Sequence, residues 1–102
     1  MENSIAAAAF GALAYPHRLR IFRLLINSSA EGLAAGEIAE RLDLPASSLS
    51  FHLSILQKAG LISSERRQRQ INYSTNIQGT RSLIEYLTQD CCAGSPHLCG
   101  FQ

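Results

Sequence analysis

Apolar residues recur at helical spacing along most of the chain, and this pattern predicts five helices. The first is predicted over Ile5–Ala14, with Ser4 as its cap, and the second begins at Pro16, because proline suits the first turn of a helix. Three more helices follow in the remaining sequence, and their predicted ranges are Ala35–Leu42, Ala46–Ala59 and Gly79–Gln89.

Between the last two helices the pattern changes to two short extended segments, Leu61–Glu65 and Ile71–Thr75. Gly60 is a suitable stop for the preceding helix, and the polar run RRQRQ between the segments predicts the turn of a β-hairpin. The predicted fold is mostly α with a small β-hairpin wing, a winged helix-turn-helix. We expect this DNA-binding and dimerisation domain over residues 1–90, followed by a cysteine-containing tail over residues 91–102.

Composition agrees with one globular domain, since 46% of the 102 residues are hydrophobic and 17% are charged. Glu2 stands where a signal peptide would carry cations, and no apolar run approaches the roughly 18 residues of a membrane span. We therefore expect a cytoplasmic protein with no membrane contact.

The fourth predicted helix has an outward face suited to reading DNA. Short hydrogen-bonding side chains at its start would meet base edges if the helix entered the major groove. The alternative is a surface helix with a serine-rich first turn, and His52 could instead hold the helix in place through a backbone carbonyl. The outward residues are Ser47, Ser48, Ser50, Phe51 and His52.

Basic residues are clustered although the formal net charge is only +1. One cluster lies on the second helix (Arg18, Arg20 and Arg23), and a second lies at the hairpin turn (Arg66, Arg67 and Arg69). Arginines on a hairpin tip can contact phosphates or enter the minor groove. Solvated surface charge is the alternative interpretation of both clusters.

Two segments together resemble the ArsR/SmtB family of metal-responsive repressors: AYPHRLRIFRLL, residues 14–25, and AGEIAERLDLPASSLSFHLSILQKAGLI, residues 35–62. The resemblance covers roughly residues 10–90, and Arg69 and Tyr73 fall where the family's wing usually carries arginine and tyrosine. It implies a homodimer, built on the first and last helices, that binds double-stranded operator DNA as a repressor and needs no cofactor to do so. It also implies release of the operator when an inducer binds.

The chain departs from that family at the common inducer sites. The third helix, GEIAERL, has no thiol where many members carry Cys-x-Cys, and the last helix offers only Glu85 where others place Asp and His ligands. Gln68 stands in the wing turn where a glycine is frequent. Any inducer would therefore bind elsewhere, or there is none.

Every cysteine lies in the last twelve residues, at Cys91, Cys92 and Cys99. Three thiolates suit a soft ion, and Gly94-Ser95-Pro96 supplies a turn that could bring Cys99 back to the adjacent pair. The family resemblance implies trivalent arsenic (arsenite), or its analogue trivalent antimony, as the inducer, with these three cysteines as ligands.

Other roles for the cysteines remain open. His97 could complete a Cys₃His zinc site, a cysteine pair could form a reversible disulfide in a redox sensor, or the tail could have no role. A soft-metal binder that uses the helix-turn-helix only as an interaction module is the competing class of function. We expect no enzymatic activity, because no acid–base pair, phosphate loop or activated nucleophile is present.

Overall fold

The structure, a computed structural model, describes residues 1–89 and consists of five helices and a small sheet. The winged helix-turn-helix expected from the sequence is confirmed. The elements in chain order are α1 (Asn3–Leu13), α2 (Pro16–Ile26), β1 (Leu33–Ala34), α3 (Ala35–Leu42), α4 (Ala46–Lys58), β2 (Ile62–Arg67), β3 (Gln70–Thr75) and α5 (Ile77–Thr88).

The sheet has three antiparallel strands in the order β1-β3-β2. Ile62 pairs with Thr75 at one end of the hairpin, and Arg67 pairs with Gln70 at the other. The predicted five-residue turn was therefore wrong, because both strands extend to a two-residue turn of Gln68 and Arg69. Strand β1 was not predicted at all.

One core joins the helices to the base of the wing. The buried side chains of helix α1 are all small, Ala6, Ala9 and Ala12, so the neighbouring helices can approach it closely. The largest fully buried side chains come from α2, α3, α4 and the start of the hairpin: Ile21, Ile38, Leu49, Leu53, Leu56 and Leu61.

A tight turn between α3 and α4 fixes the angle of the two helices. Asp43 ends α3 in the left-handed region, at φ 54°, which a short polar side chain tolerates better than most. The backbone N–H of Leu44 then donates to the carbonyl of Ala39 at 3.0 Å. Pro45 stands at the N-cap of α4, and its ring fixes φ at the residue that precedes the helix.

Helix α5 is anchored to the corner between α4 and β2. The side chain of Asn76 accepts a hydrogen bond from the backbone N–H of Gly79 at 3.2 Å and donates one to the carbonyl of Gly60 at 2.8 Å. Gly60 has φ +80°, as expected for a glycine that ends a helix. A side chain at Gly79 would collide with the Gly60 carbonyl oxygen, so the absence of a side chain at Gly79 permits this close approach.

Two predicted helix starts were wrong, the first because its capping residue was misassigned and the second because its capping residue was not recognised. Helix α1 begins at Asn3 with Glu2 at the N-cap, and no side chain caps it, so Ser4 lies inside the helix. Helix α5 begins at Ile77 instead of Gly79, since Asn76 is its cap.

Candidate nucleic-acid interface

Helix α4 is held by one buried stripe and leaves its opposite side in solvent. Leu49, Leu53 and Leu56 are buried, at spacings of four and three residues. The predicted DNA-contacting serines, Ser47, Ser48 and Ser50, are all exposed. No side chain caps the first turn of α4, so its backbone N–H groups are free of side-chain acceptors within residues 1–89.

His52 differs from the serines because it turns toward α2. Its Nδ1 lies 3.4 Å from NH1 of Arg18, and its ring centroid lies 5.8 Å from that of His17. Burial, assisted by the positive charge of Arg18 and by His17, lowers the pKa of His52 below 6.5. At neutral pH the imidazole is therefore uncharged, and a hydrogen bond is the contact it can offer.

Arg18 is not part of an exposed basic cluster, contrary to the sequence-based expectation. Its side chain is only 6% exposed, and its Nε donates to the carbonyl of Ala12 at 2.7 Å. The guanidinium also lies over the ring of Tyr15, 4.0 Å from its centroid. Arg20 and Arg23 do remain at the surface, and Arg20 donates to the carbonyl of Leu42 at 3.0 Å.

The three wing arginines have different surroundings. Arg67 lies 3.9 Å from a carboxylate oxygen of Glu31 and 3.7 Å from one of Glu65, so two acidic groups partly neutralise it. Arg66 donates weakly to the carbonyl of Gln68 at 3.4 Å. Arg69 forms no side-chain hydrogen bond or ion pair with any of residues 1–89. It is therefore the wing cation most available to a phosphate.

Gln68 has a positive φ in the wing turn, where a glycine is frequent in the family that the sequence resembles. It occupies the first turn position at φ 58°, where a glycine would be less strained. Arg69, at the second position, does not have a positive φ. This sign pattern belongs to a type II′ turn, which matches the right-handed twist of the two strands. The glutamine therefore keeps the hairpin tight at some conformational cost.

A groove of about 430 Å³ separates α4 from the sheet. Its wall includes Ser50, Ser54 and Lys58 from the helix and Tyr73 from β3. Gln57 spans the groove at one point, where its amide donates to the hydroxyl of Ser64 at 3.0 Å. Sequence reasoning missed Ser54 and Lys58, although they stand three and seven residues after Phe51 and so share its side of the helix.

The predicted inducer ligands, Cys91, Cys92 and Cys99, lie outside the described residues. Within residues 1–89, no group of three His, Cys, Asp or Glu side chains is placed to hold a metal ion. None of the helices in that range is long and apolar enough to cross a membrane.

The comparisons with known proteins agree with this geometry. A family model described as a helix-turn-helix domain matches residues 13–65, more than half of the chain. The HTH-type transcriptional regulator YgaV of Escherichia coli is 36% identical over 87 residues, which cover 85% of this chain and 86% of YgaV. The chain belongs to the helix-turn-helix transcriptional regulators. Regulators of this family bind DNA and are not enzymes, so the expectation of no catalysis is confirmed.

Two further proteins are similar to this chain in sequence or in structure. The transcriptional activator HlyU of Vibrio cholerae is 31% identical over 94 residues, 90% of this chain and 84% of HlyU. The structure of reduced HlyU matches with a TM-score of 0.68 at 29% identity, over 87% of this chain and 90% of HlyU.

The second is the homodimeric winged helix-turn-helix DNA-binding domain of Mb0332 from Mycobacterium bovis, described as a possible ArsR-family regulator. It matches with a TM-score of 0.70 at 23% identity, over 85% of this chain and 81% of that one. At this identity the likeness shows the winged helix-turn-helix fold alone.

Proposed function

We propose that this regulator is a homodimeric repressor that binds operator DNA through α4 and the wing and is released by trivalent arsenic. The single observation that carries the DNA-binding part is the exposed serine face of α4, with the wing beside it carrying Arg69, which is unpaired within residues 1–89. Short hydroxyl side chains at the start of a helix can approach base edges, while an arginine on the wing supplies a phosphate contact.

The homodimer is supported by apolar side chains that the described chain leaves uncovered. Ile5 and Phe10 on α1 are exposed, and so are Ile84 and Leu87 on α5, the last by 59%. The two helices contact each other, so these exposed side chains lie on neighbouring elements. A second copy related by two-fold symmetry would cover them and would match a palindromic operator. The homodimeric Mb0332 domain, with the same fold, supports this arrangement.

The inducer part rests on the three cysteines that follow α5. Helix α5 ends at Thr88 and the first cysteine is Cys91, so a metalloid bound there would act directly on the end of the proposed dimerisation helix. Trivalent arsenic completes its shell with three thiolates, which Cys91, Cys92 and Cys99 can supply. Trivalent antimony has the same requirement.

The route from that site to DNA passes through contacts within the core. Helix α5 packs on α1, and α1 packs on both α2 and α4. A shift of α5 would therefore change the separation of the two reading helices, which must match half-sites about 34 Å apart. A coupling of only about 1–3 kcal/mol would weaken operator binding by roughly 5–150-fold.

A thiol-based redox switch at the same cysteines is the second candidate. The observation that favours it is that the relative HlyU is described in a specifically reduced form. In this chain the reaction would be oxidation of two cysteine thiols by hydrogen peroxide, which forms one disulfide and two water molecules. A zinc site completed by His97 remains a further alternative.

Operator binding measured with several effectors tests the proposal. The preferred duplex is first selected from a random pool, and its complex with the full chain is then followed by fluorescence anisotropy. We expect arsenite to dissociate the complex, and zinc, copper and peroxide to leave it largely intact. Release by peroxide alone would favour the redox candidate, whereas the absence of any selected duplex would overturn the DNA-binding function itself. Ser48→Ala should reduce the preference for the selected duplex over random DNA.

A further inference from the structure

Phe51 stands at the centre of the outward side of α4. At about 100° per residue it lies about 200° around the helix axis from Leu49, almost opposite the buried stripe. Its side chain is 62% exposed, more than any other large hydrophobic residue within positions 1–89. Its neighbours on this side, Ser47 and Ser54, are also exposed and are much shorter, so the phenyl ring projects beyond them.

The side chain of Phe51 takes little part in the packing of the described residues. Its one aromatic neighbour within the described chain is His52, at a tilted ring distance of 5.8 Å, and the ring fills no part of the core. Phenylalanine is also a weaker helix former than alanine or leucine. The ring therefore contributes little to folding, and its placement on the reading side points to a role in contact with a ligand.

The chemistry of the major groove limits what this ring can recognise. A phenyl group has no hydrogen-bond donor or acceptor, so it cannot pair with the hydrogen-bonding edges of guanine, adenine and cytosine. The 5-methyl group of thymine is the apolar feature of the groove, and phenylalanine is among the side chains that contact it. The absence of acidic residues between Pro45 and Ala59 leaves the approach of this side to DNA unopposed.

We propose that Phe51 is a specificity-determining residue that selects a thymine at one base pair of each operator half-site by packing on its 5-methyl group. This rests on the proposed binding of operator DNA through α4. Ser47 and Ser54 flank the ring and would read the adjacent base edges, while Phe51 favours the register that places a thymine methyl group against it.

Single thymine-to-uracil substitutions test the proposal, because they remove the methyl group and leave the hydrogen-bonding edge unchanged. The full chain and its Phe51→Ala and Phe51→Leu variants are compared on the selected duplex and on each uracil-substituted duplex, by fluorescence anisotropy at fixed salt. Burial of one methyl group corresponds to about a fourfold change in affinity. We expect one thymine per half-site whose replacement weakens the wild type about fourfold.

The variants make the result specific to Phe51. With Phe51→Ala the same thymine-to-uracil replacement should change the affinity less than twofold, and with Phe51→Leu the change should be intermediate. The other thymines of the duplex serve as internal controls. Equal uracil effects in wild type and Phe51→Ala, or no effect at any thymine, would overturn the proposal while leaving operator binding intact. Failure to select any duplex would overturn it together with the proposed function. Thermal melting by circular dichroism confirms that the exposed substitutions leave the fold unchanged.

Discussion

Arg18 and His52 face each other across the boundary between α2 and α4, with NH1 of the arginine 3.4 Å from Nδ1 of the histidine. The arginine is fixed from its other side by the carbonyl of Ala12. That carbonyl lacks its usual helical donor because the residue four positions later is Pro16, which has no N–H. A single buried guanidinium therefore links the end of α1, through α2, to the helix that carries the exposed serines.

Removing the Arg18 guanidinium should destabilise the fold. Arg18→Met keeps much of the apolar stem but loses the charged hydrogen bond to Ala12, and we expect about 2 kcal/mol less free energy of unfolding. Urea denaturation followed by circular dichroism measures the change. Arg23→Met, on the exposed side of the same helix, is the matched control and should change stability by less than about 0.5 kcal/mol. Equal stabilities of the two variants would contradict the structural role of Arg18.

The lowered pKa of His52 predicts a pH dependence of stability. The unfolded chain binds the proton near pH 6.5, whereas the folded chain binds it only at lower pH. Neutral His52 therefore makes its full contribution to the free energy of unfolding above pH 6.5. This contribution falls as the pH drops below that value and stops falling once the histidine is protonated in the folded chain too. Titration of the His52 ring protons by NMR should give a midpoint below 6.5.

The same titration in Arg18→Met checks the cause. Loss of the neighbouring positive charge should raise the pKa of His52 relative to wild type, although burial continues to lower it. A midpoint at or above 6.5 in the wild type would show that the histidine is not held neutral by its surroundings.

The wing arginines should differ in their effect on DNA binding. Arg69→Ala should weaken binding to all duplexes and reduce the slope of log K against log salt by about 1, as expected for the loss of one phosphate contact. Arg67→Ala should have a smaller effect, because Glu31 and Glu65 already compete for that side chain. Anisotropy titrations at several salt concentrations measure both slopes. A larger loss for Arg67→Ala would reverse the assignment.

Loss of the Asn76 side chain should loosen α5. Asn76→Ala removes the cap at Gly79 and the hydrogen bond to Gly60, and we expect about 1–2 kcal/mol lower stability. If α5 builds the dimer interface, sedimentation should also show a higher dimer dissociation constant. Asn27→Ala is the control, since its amide makes one exposed hydrogen bond, to the carbonyl of Arg23. A loss of stability with unchanged dimerisation would count against α5 as the interface.

The architecture could be predicted because the apolar periodicity of its helices is regular. The buried Leu49, Leu53 and Leu56 follow the helical repeat, and Gly60 ends that helix as its backbone freedom suggests. Strand β1 could not be predicted, because two residues are too few to show alternation. The hairpin was predicted, but its strands were predicted too short, because Arg66 and Arg67 lie in an exposed strand end where polar residues resemble a turn.

The interface was predictable only where neighbouring elements do not alter a residue's exposure. The serines of α4 are exposed as expected, but Arg18 has the same local pattern as Arg20 and is buried, because the free carbonyl of Ala12 attracts it. Such a contact depends on how α1 and α2 meet, and no periodicity along the chain records it. The predicted roles of the serines, of His52 and of the wing arginines stay predictions until binding is measured.

Release of DNA by arsenite tests the central claim most directly. Arsenite is titrated into the complex of the full chain with its selected duplex, for wild type and for Cys91→Ser, Cys92→Ser and Cys99→Ser. Each variant keeps at most two thiolates, so all three should bind the duplex as wild type does but resist release by arsenite. The variants of the adjacent pair, Cys91→Ser and Cys92→Ser, should resist most strongly, because the chain holds these two thiols together whereas Cys99 must be recruited by closing a loop. We predict that arsenite abolishes operator binding by the wild type and leaves operator binding by Cys92→Ser intact. A Cys92→Ser complex that arsenite dissociates as readily as wild type, or a wild-type complex that arsenite does not affect, would contradict the account.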